Sequence, residues 1–127
     1  MLEGFYKETK DLSEYESEVL LPVMQKSLSR HIGESKAVKN CQMCEALEEK
    51  GYKVSEARIR KLINHIRVNG LVDCLVATSK GYFVAESISE VKSHISSLKG
   101  REEAIRAVRL ALENQLEDMR NEPKVLS

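Results

Sequence analysis

Three groups of side chains in this sequence have types and spacings that could do chemistry. The first is soft metal or redox chemistry. Cys41-Gln42-Met43-Cys44 is a Cys-x-x-Cys pair, Cys74 stands apart, and the histidines are His31, His65 and His94. A tetrahedral zinc site takes four ligands, commonly as two close pairs, and no second pair exists here. A thioredoxin-type pair needs a preceding strand and a βαβ context, which the pattern does not supply. The expectation is three reduced thiols in a cytoplasmic chain, with no metal. The second is carboxylate chemistry. Glu48-Glu49 and Glu102-Glu103 fall on solvated helix faces, and the sequence has no phosphate-binding glycine loop and no nucleophile elbow. No enzyme, cofactor or small-molecule substrate is expected. The third is non-covalent: Arg58, Arg60, Lys61, Asn64 and His65 cluster in one short stretch. Arginine and lysine donate to guanine O6 and N7, and asparagine pairs with adenine N6 and N7.

These side chains need elements to position them. Ser13 with Glu16 fits a capping box for a first helix carrying Tyr15, Val19, Leu20, Val23, Met24 and Leu28. Pro22 kinks or restarts that helix, and Gly33 is its expected C′ residue. Ala37-Val38 suggests a short strand. A second helix follows, capped by Asn40, packing Met43, Cys44 and Leu47, and ended by Gly51. The linker Gly51–Val54 is short, so the third helix must turn sharply. Ser55 caps it, and Ile59, Leu62, Ile63 and Ile66 recur at the spacing of one buried face. The opposite face centres on Ala57, Lys61, Asn64 and Val68, flanked by Arg60 and His65, with Arg58 nearer its boundary. Gly70 closes the helix. Residues 74–77 and 82–85 then read as strands around a Thr78–Gly81 loop, which places Lys80 at a hairpin tip. Ser89 is the expected cap of a long last helix to about Met119, with Gly100 inside it.

The formal net charge is zero, from 20 basic and 20 acidic residues, but the charge is unevenly spread. Residues 1–49 carry −4, residues 50–85 carry +5, and residues 86–127 carry −1. The positive third coincides with the third helix and the hairpin, a pointer to an anionic partner. No apolar run approaches the roughly 20 residues of a membrane span, and the N-terminus lacks a signal-peptide pattern. The expected fold is therefore mainly α with a small β-hairpin, a winged helix-turn-helix with a long C-terminal helix. Its expected divisions are a flexible N-terminus (1–12), a winged-helix domain (13–88), a C-terminal helix (89–119) and a flexible tail (120–127).

The stretch GYKVSEARIRKLINHIRVNGLVDCLVATSKGYFVA resembles winged helix-turn-helix proteins of phages, prophages and mobile elements of gut bacteria. The shared features are the GYK turn, the Ser-x-x-Arg helix start, the KLINHIRVNGL helix and the SKGY hairpin, and the likeness extends over about residues 13–117. It implies a winged-helix fold and duplex DNA binding. By position it implies contacts from Ser55, Arg58, Lys61, His65, Ser79, Lys80 and Tyr82. Glu56 departs from the pattern, since a small residue is more usual there. An acid favours the helix dipole but repels a nearby phosphate.

In the last helix Val91, Ile95, Leu98, Glu102, Ile105, Arg109, Leu112, Leu116 and Met119 alternate at steps of four and three. That is a coiled-coil seam with two charged breaks. The expectation is a homodimer interface of Val91, Ile95, Leu98, Ile105, Leu112 and Leu116. The other possibility is a helix folded back on Tyr15, Leu20 and Met24. The functional expectation is duplex DNA binding through helix 55–69 and hairpin 74–85, by a small regulator or replication accessory protein. The alternative is a winged-helix protein–protein interaction module that never touches DNA.

Overall fold

The computed structural model describes residues 12–121, and the chain divides into two units between Val91 and Lys92. The ends expected to be flexible lie largely outside the described residues. Of the part that is described, Leu12 packs against the core, and the last helix continues through Asn121.

The first unit begins with the expected capping box. The Ser13 N–H donates to Glu16 Oε1 at 2.9 Å, and the Glu16 N–H donates to Ser13 Oγ at 3.1 Å. One π-helical turn, Glu16–Leu20, then runs into α1, Leu21–Leu28. Pro22 supplies the reason. It has no N–H for the carbonyl one α-turn back, so the ladder widens before resuming, and Leu21 N–H donates to Glu16 O. The helix stops at Leu28, five residues before Gly33.

Gly33 does different work. Its φ is +88°, its N–H donates to Val84 O at 2.9 Å, and Val84 N–H returns to His31 O at 2.7 Å. Residues 31–33 thus lie along the hairpin, and a 3₁₀ turn, Glu34–Lys36, leads to Val38. Val38 exchanges two backbone hydrogen bonds with Tyr82, at 2.9 and 2.8 Å. The short strand expected at Ala37-Val38 is this single antiparallel bridge.

Helix α2 spans Asn40–Glu49. Asn40 is its first turn rather than its cap: Lys39 takes the cap position, and Gln42 Oε1 accepts the Lys39 N–H at 2.9 Å. Helix α3 spans Glu56–Val68, and its cap is as expected, with Ser55 Oγ accepting the Arg58 N–H at 3.2 Å. Ile59, Leu62, Ile63 and Ile66 are buried, and they meet Leu20, Met24 and Leu28 of the first helical segment and Met43 and Leu47 of α2 in one core. Burying a side chain of this size is worth about 1.5–3 kcal/mol.

The hairpin consists of β1 (Leu75–Thr78) and β2 (Gly81–Val84), paired antiparallel in the register Leu75↔Val84 to Thr78↔Gly81. Thr78 and Gly81 are paired, so the loop is only Ser79-Lys80, tighter than the four-residue loop expected. Gly81 has φ +125°, and a Cβ there would stand 2.6 Å from the Val38 carbonyl oxygen. Only glycine lets the strand start this close to the bridge.

Helix α4 spans Ile88–Asn121. Its cap is Ser87, two residues before the expected Ser89: Ser87 Oγ accepts the Glu90 N–H at 3.2 Å, and Glu90 reaches back to the Glu86 N–H at 2.6 Å. The Ser87 hydroxyl on the Glu90 N–H, with the Glu90 carboxylate on the N–H just before the cap, sets the start. Gly100 leaves the helix unbroken. The second unit, from Lys92, is this helix alone among the described residues. Ile95, Leu98, Ile105, Leu112 and Leu116 are exposed along it, whereas Val91 is half-buried and belongs to the first unit. Leu20 and Met24 are sealed inside the first unit's own core.

Candidate nucleic-acid interface

The outward face of α3 has two flanks about its midline at Asn64. At 100° per residue, Arg58, Lys61 and His65 lean to one side, while Arg60 and Arg67 lean to the other. The structure treats the two flanks differently.

The first flank is closed by Glu16. This carboxylate is 4 % exposed, the one buried charged residue of the described chain. Its Oε2 accepts from Arg58 Nε at 3.1 Å, and its Oε1 accepts from Lys61 Nζ at 2.9 Å and from the Ser13 N–H. Burial alone would raise the Glu16 pKa. The Ser13 N–H and the two cations outweigh it and hold the group below its ordinary value. Arg58 has further partners: its Nη1 donates to Lys53 O at 3.2 Å, and its guanidinium lies 5.4 Å from the Tyr15 ring centroid. The Tyr15 hydroxyl in turn accepts the Lys53 N–H at 2.9 Å. Two of the expected contact residues are therefore half-buried members of an ion-pair cluster, centred on the buried Glu16, that fastens the first helix to α3. Glu16 was legible as half of a capping box, but its second role was not, because its partners lie over 40 residues away in sequence. On the same flank, Asn69 Nδ2 sits 3.4 Å from His65 Nδ1 at the helix end.

The second flank is open. A concavity of about 450 Å³ lies along it, lined by Arg60, Lys61, Asn64, Arg67 and, from β2, Tyr82. Two arginines, the Glu16-paired Lys61, a carboxamide and a phenol line this space, and among the described residues no carboxylate does. Arg60 is exposed and takes part in none of the ion pairs among the described residues. The Val38 bridge fixes the backbone that carries Tyr82. Arg67 was overlooked as a contact residue, although its spacing gives it away: Arg60, Asn64 and Arg67 stand at i, i+4 and i+7 on one helical stripe.

The hairpin tip projects Ser79 and Lys80 into solvent. Lys80 Nζ lies 3.2 Å from Glu34 Oε1, with both side chains at least half exposed. Such a pair is held by little and is readily exchanged for another anion. Ser55 keeps its capping hydrogen bond at the start of α3, and its hydroxyl proton is still available to a phosphate. The exposed Glu56 stands beside it.

The cysteines take no part in this surface. Cys41 and Cys74 are exposed; Cys44 is buried and donates to Glu48 Oε1 at 3.0 Å. That hydrogen bond, with burial, pushes the Cys44 thiol up to about 11. Among the described residues no three His, Cys, Asp or Glu side chains converge as a metal site, and no helix is long and apolar enough to cross a membrane. Comparison of the chain with protein-family models, with curated proteins and with solved structures finds no match.

Proposed function

We propose that the chain is a winged helix-turn-helix protein that binds duplex DNA, with α2 and α3 as the helix-turn-helix and β1–β2 as the wing. The observation that carries this reading is the concavity along the outward flank of α3, where the described residues place Arg60, Asn64, Arg67 and Tyr82 and no carboxylate. In the bound state α3 lies in the major groove. Arg60 and Arg67 reach guanine edges or phosphates, and Asn64 pairs with adenine. The Tyr82 hydroxyl and Lys80 take the adjacent backbone. Arg58 and Lys61 hold the helix in place against Glu16 and contribute positive field rather than direct contacts. The chemistry is non-covalent, as suits a regulator or a replication accessory factor, and α4 joins two copies.

The test is duplex affinity as a function of salt. Each phosphate contact contributes about 0.9 to the slope of log affinity against log salt. Arg60→Ala should weaken binding of a mixed-sequence duplex and flatten that slope, while the thermal midpoint stays near that of the parent protein. Lys61→Ala is a poor probe, because it uncovers Glu16 and disturbs the fold. If the parent protein binds no duplex even at low salt, the reading fails, and a protein–protein interaction module takes its place.

A further inference from the structure

The exposed stripe of α4 has a charge pattern that selects one arrangement of partners. Ile95, Leu98, Ile105, Leu112, Leu116 and Met119 are all more than two-fifths exposed, and they share a seam with Glu102 and Arg109. Ala104 and Val108 widen it, so that a shallow apolar groove runs along Ile105, Leu112 and Leu116. From residue 95 to residue 119 the seam covers about three and a half heptads, enough for a two-stranded coiled coil.

Two parallel copies in register would set Glu102 against Glu102 and Arg109 against Arg109 inside the seam. At its edges Arg101 of each copy would meet Arg106 of the other. An antiparallel pair centred on residue 107 removes these conflicts. Ile95 then lies level with Met119 of the second copy, Leu98 with Leu116, Glu102 with Leu112 and Ile105 with Arg109. All eight seam positions find a partner in this register. Glu102 lies one layer, about 4.5 Å along the axis, from Arg109 of the second copy. At the seam's edge Lys99 meets Glu113. Arg109 already pairs with Glu113 of its own helix at 2.7 Å, and its planar fork has donors left for a second carboxylate. One like-charge contact remains, Arg106 against itself at the twofold axis.

We infer that α4 binds a second copy of this chain as an antiparallel two-helix coiled coil, with Glu102 of each copy beside Arg109 of the other. The inference rests on the reading of α4 as the pairing element and adds its direction. It puts the two Lys92 residues, where the first units attach, at opposite ends of the pair, about 45 Å apart.

Sedimentation of the full chain tests pairing, and cross-linking tests direction. With the exposed Cys41 and Cys74 replaced by serine, Ile95→Cys copies are mixed with Met119→Cys copies and treated with a short thiol cross-linker. An antiparallel pair links position 95 to position 119. The two 95 positions stay unlinked, because they lie about 36 Å apart. A 95-to-95 link overturns the direction and leaves the pairing intact. A parent protein that sediments as a monomer at the highest concentration reached overturns both. Glu102→Gln gives an independent reading by its sign. In the antiparallel pair it loses an attraction twice over and weakens association by about fivefold. In a parallel pair it would relieve a repulsion and strengthen association, which would count against the inference.

Discussion

Arg58 and Arg60 are two residues apart on the same exposed helix start, yet they serve opposite ends. Arg58, with Lys61, is spent on Glu16, a carboxylate that the first helix carries into the protein interior. Arg60, with Arg67, lines a concavity to which the described residues bring no carboxylate. The +5 charge of residues 50–85 is therefore not one resource. Part of it offsets a buried acid and sets the position of α3, and part lines the concavity on the other flank. Net charge, even counted by segment, cannot separate the two uses, whereas the flank of the helix can.

The sharpest test of this division is to remove the cations from each flank in turn. Arg58→Ala with Lys61→Ala strips Glu16 of its countercharges and opens it to water; because both cations are already about one-third exposed, the cost stays below the roughly 3–5 kcal/mol of breaking a fully buried pair. Chemical denaturation should show a loss of about 2 kcal/mol. Glu16→Gln in the same background should recover much of it, because a neutral amide tolerates burial without cations. Arg60→Ala, at an exposed position, should leave stability within about 1 kcal/mol of the parent, as surface changes do. Similar losses from the two flanks would mean that the division drawn here is false.

What the sequence disclosed follows the range of the interactions involved. The buried stripe of α3, its Ser55 cap and the Ser13–Glu16 box are short-range patterns, and all were legible. Helix ends set by competing caps were less so: Ser87 takes the cap from Ser89, with its hydroxyl on the Glu90 N–H and the Glu90 carboxylate on the Glu86 N–H. The interface split worst. Helical spacing placed Arg60 and Asn64 outward, but it also placed Lys61 outward, and nothing local announces that Glu16 will arrive beside it. The hairpin shows the same limit. Gly81 read as part of a loop, although its real constraint is the Val38 backbone packed against it.

That constraint gives the next test. Gly81→Ala has to keep φ at +125° and clear the Val38 carbonyl, or else give up the bridge that fixes Tyr82. A loss of about 2 kcal/mol is expected in denaturation, with duplex affinity falling too, because Tyr82 and the wing shift together. Gly51→Ala, at φ +88° with open space around it, isolates the backbone contribution, and its loss should be smaller.

Acid should act on the closed flank. The folded protein holds the Glu16 pKa below its ordinary value of 4.5, so the unfolded chain takes up the proton first as pH falls. The stabilisation is complete above that ordinary value and is lost as pH drops through the lowered, folded value. Stability should therefore decline across the acid range, and Glu16→Gln should remove this group's share of the decline. An identical acid profile in the variant would show that the cluster does not couple protonation to folding.

Lys80→Ala should produce the smallest change in stability and the cleanest functional one. The Lys80–Glu34 pair is exposed at both ends, so its loss should cost less than about 1 kcal/mol. If the wing meets a phosphate, duplex affinity falls at low salt and the salt slope drops by about 0.9. That signature, with binding changed and folding not, is the reverse of the one expected for Lys61→Ala, although both remove a single lysine charge from the same positive segment. Glu34→Gln adds a sign. It frees Lys80 from its neighbour and removes a negative charge near the wing tip, so duplex affinity should rise slightly. If neither change at the tip moves affinity while Arg60→Ala does, the contact surface is confined to α3 and the hairpin serves to hold Tyr82 against it.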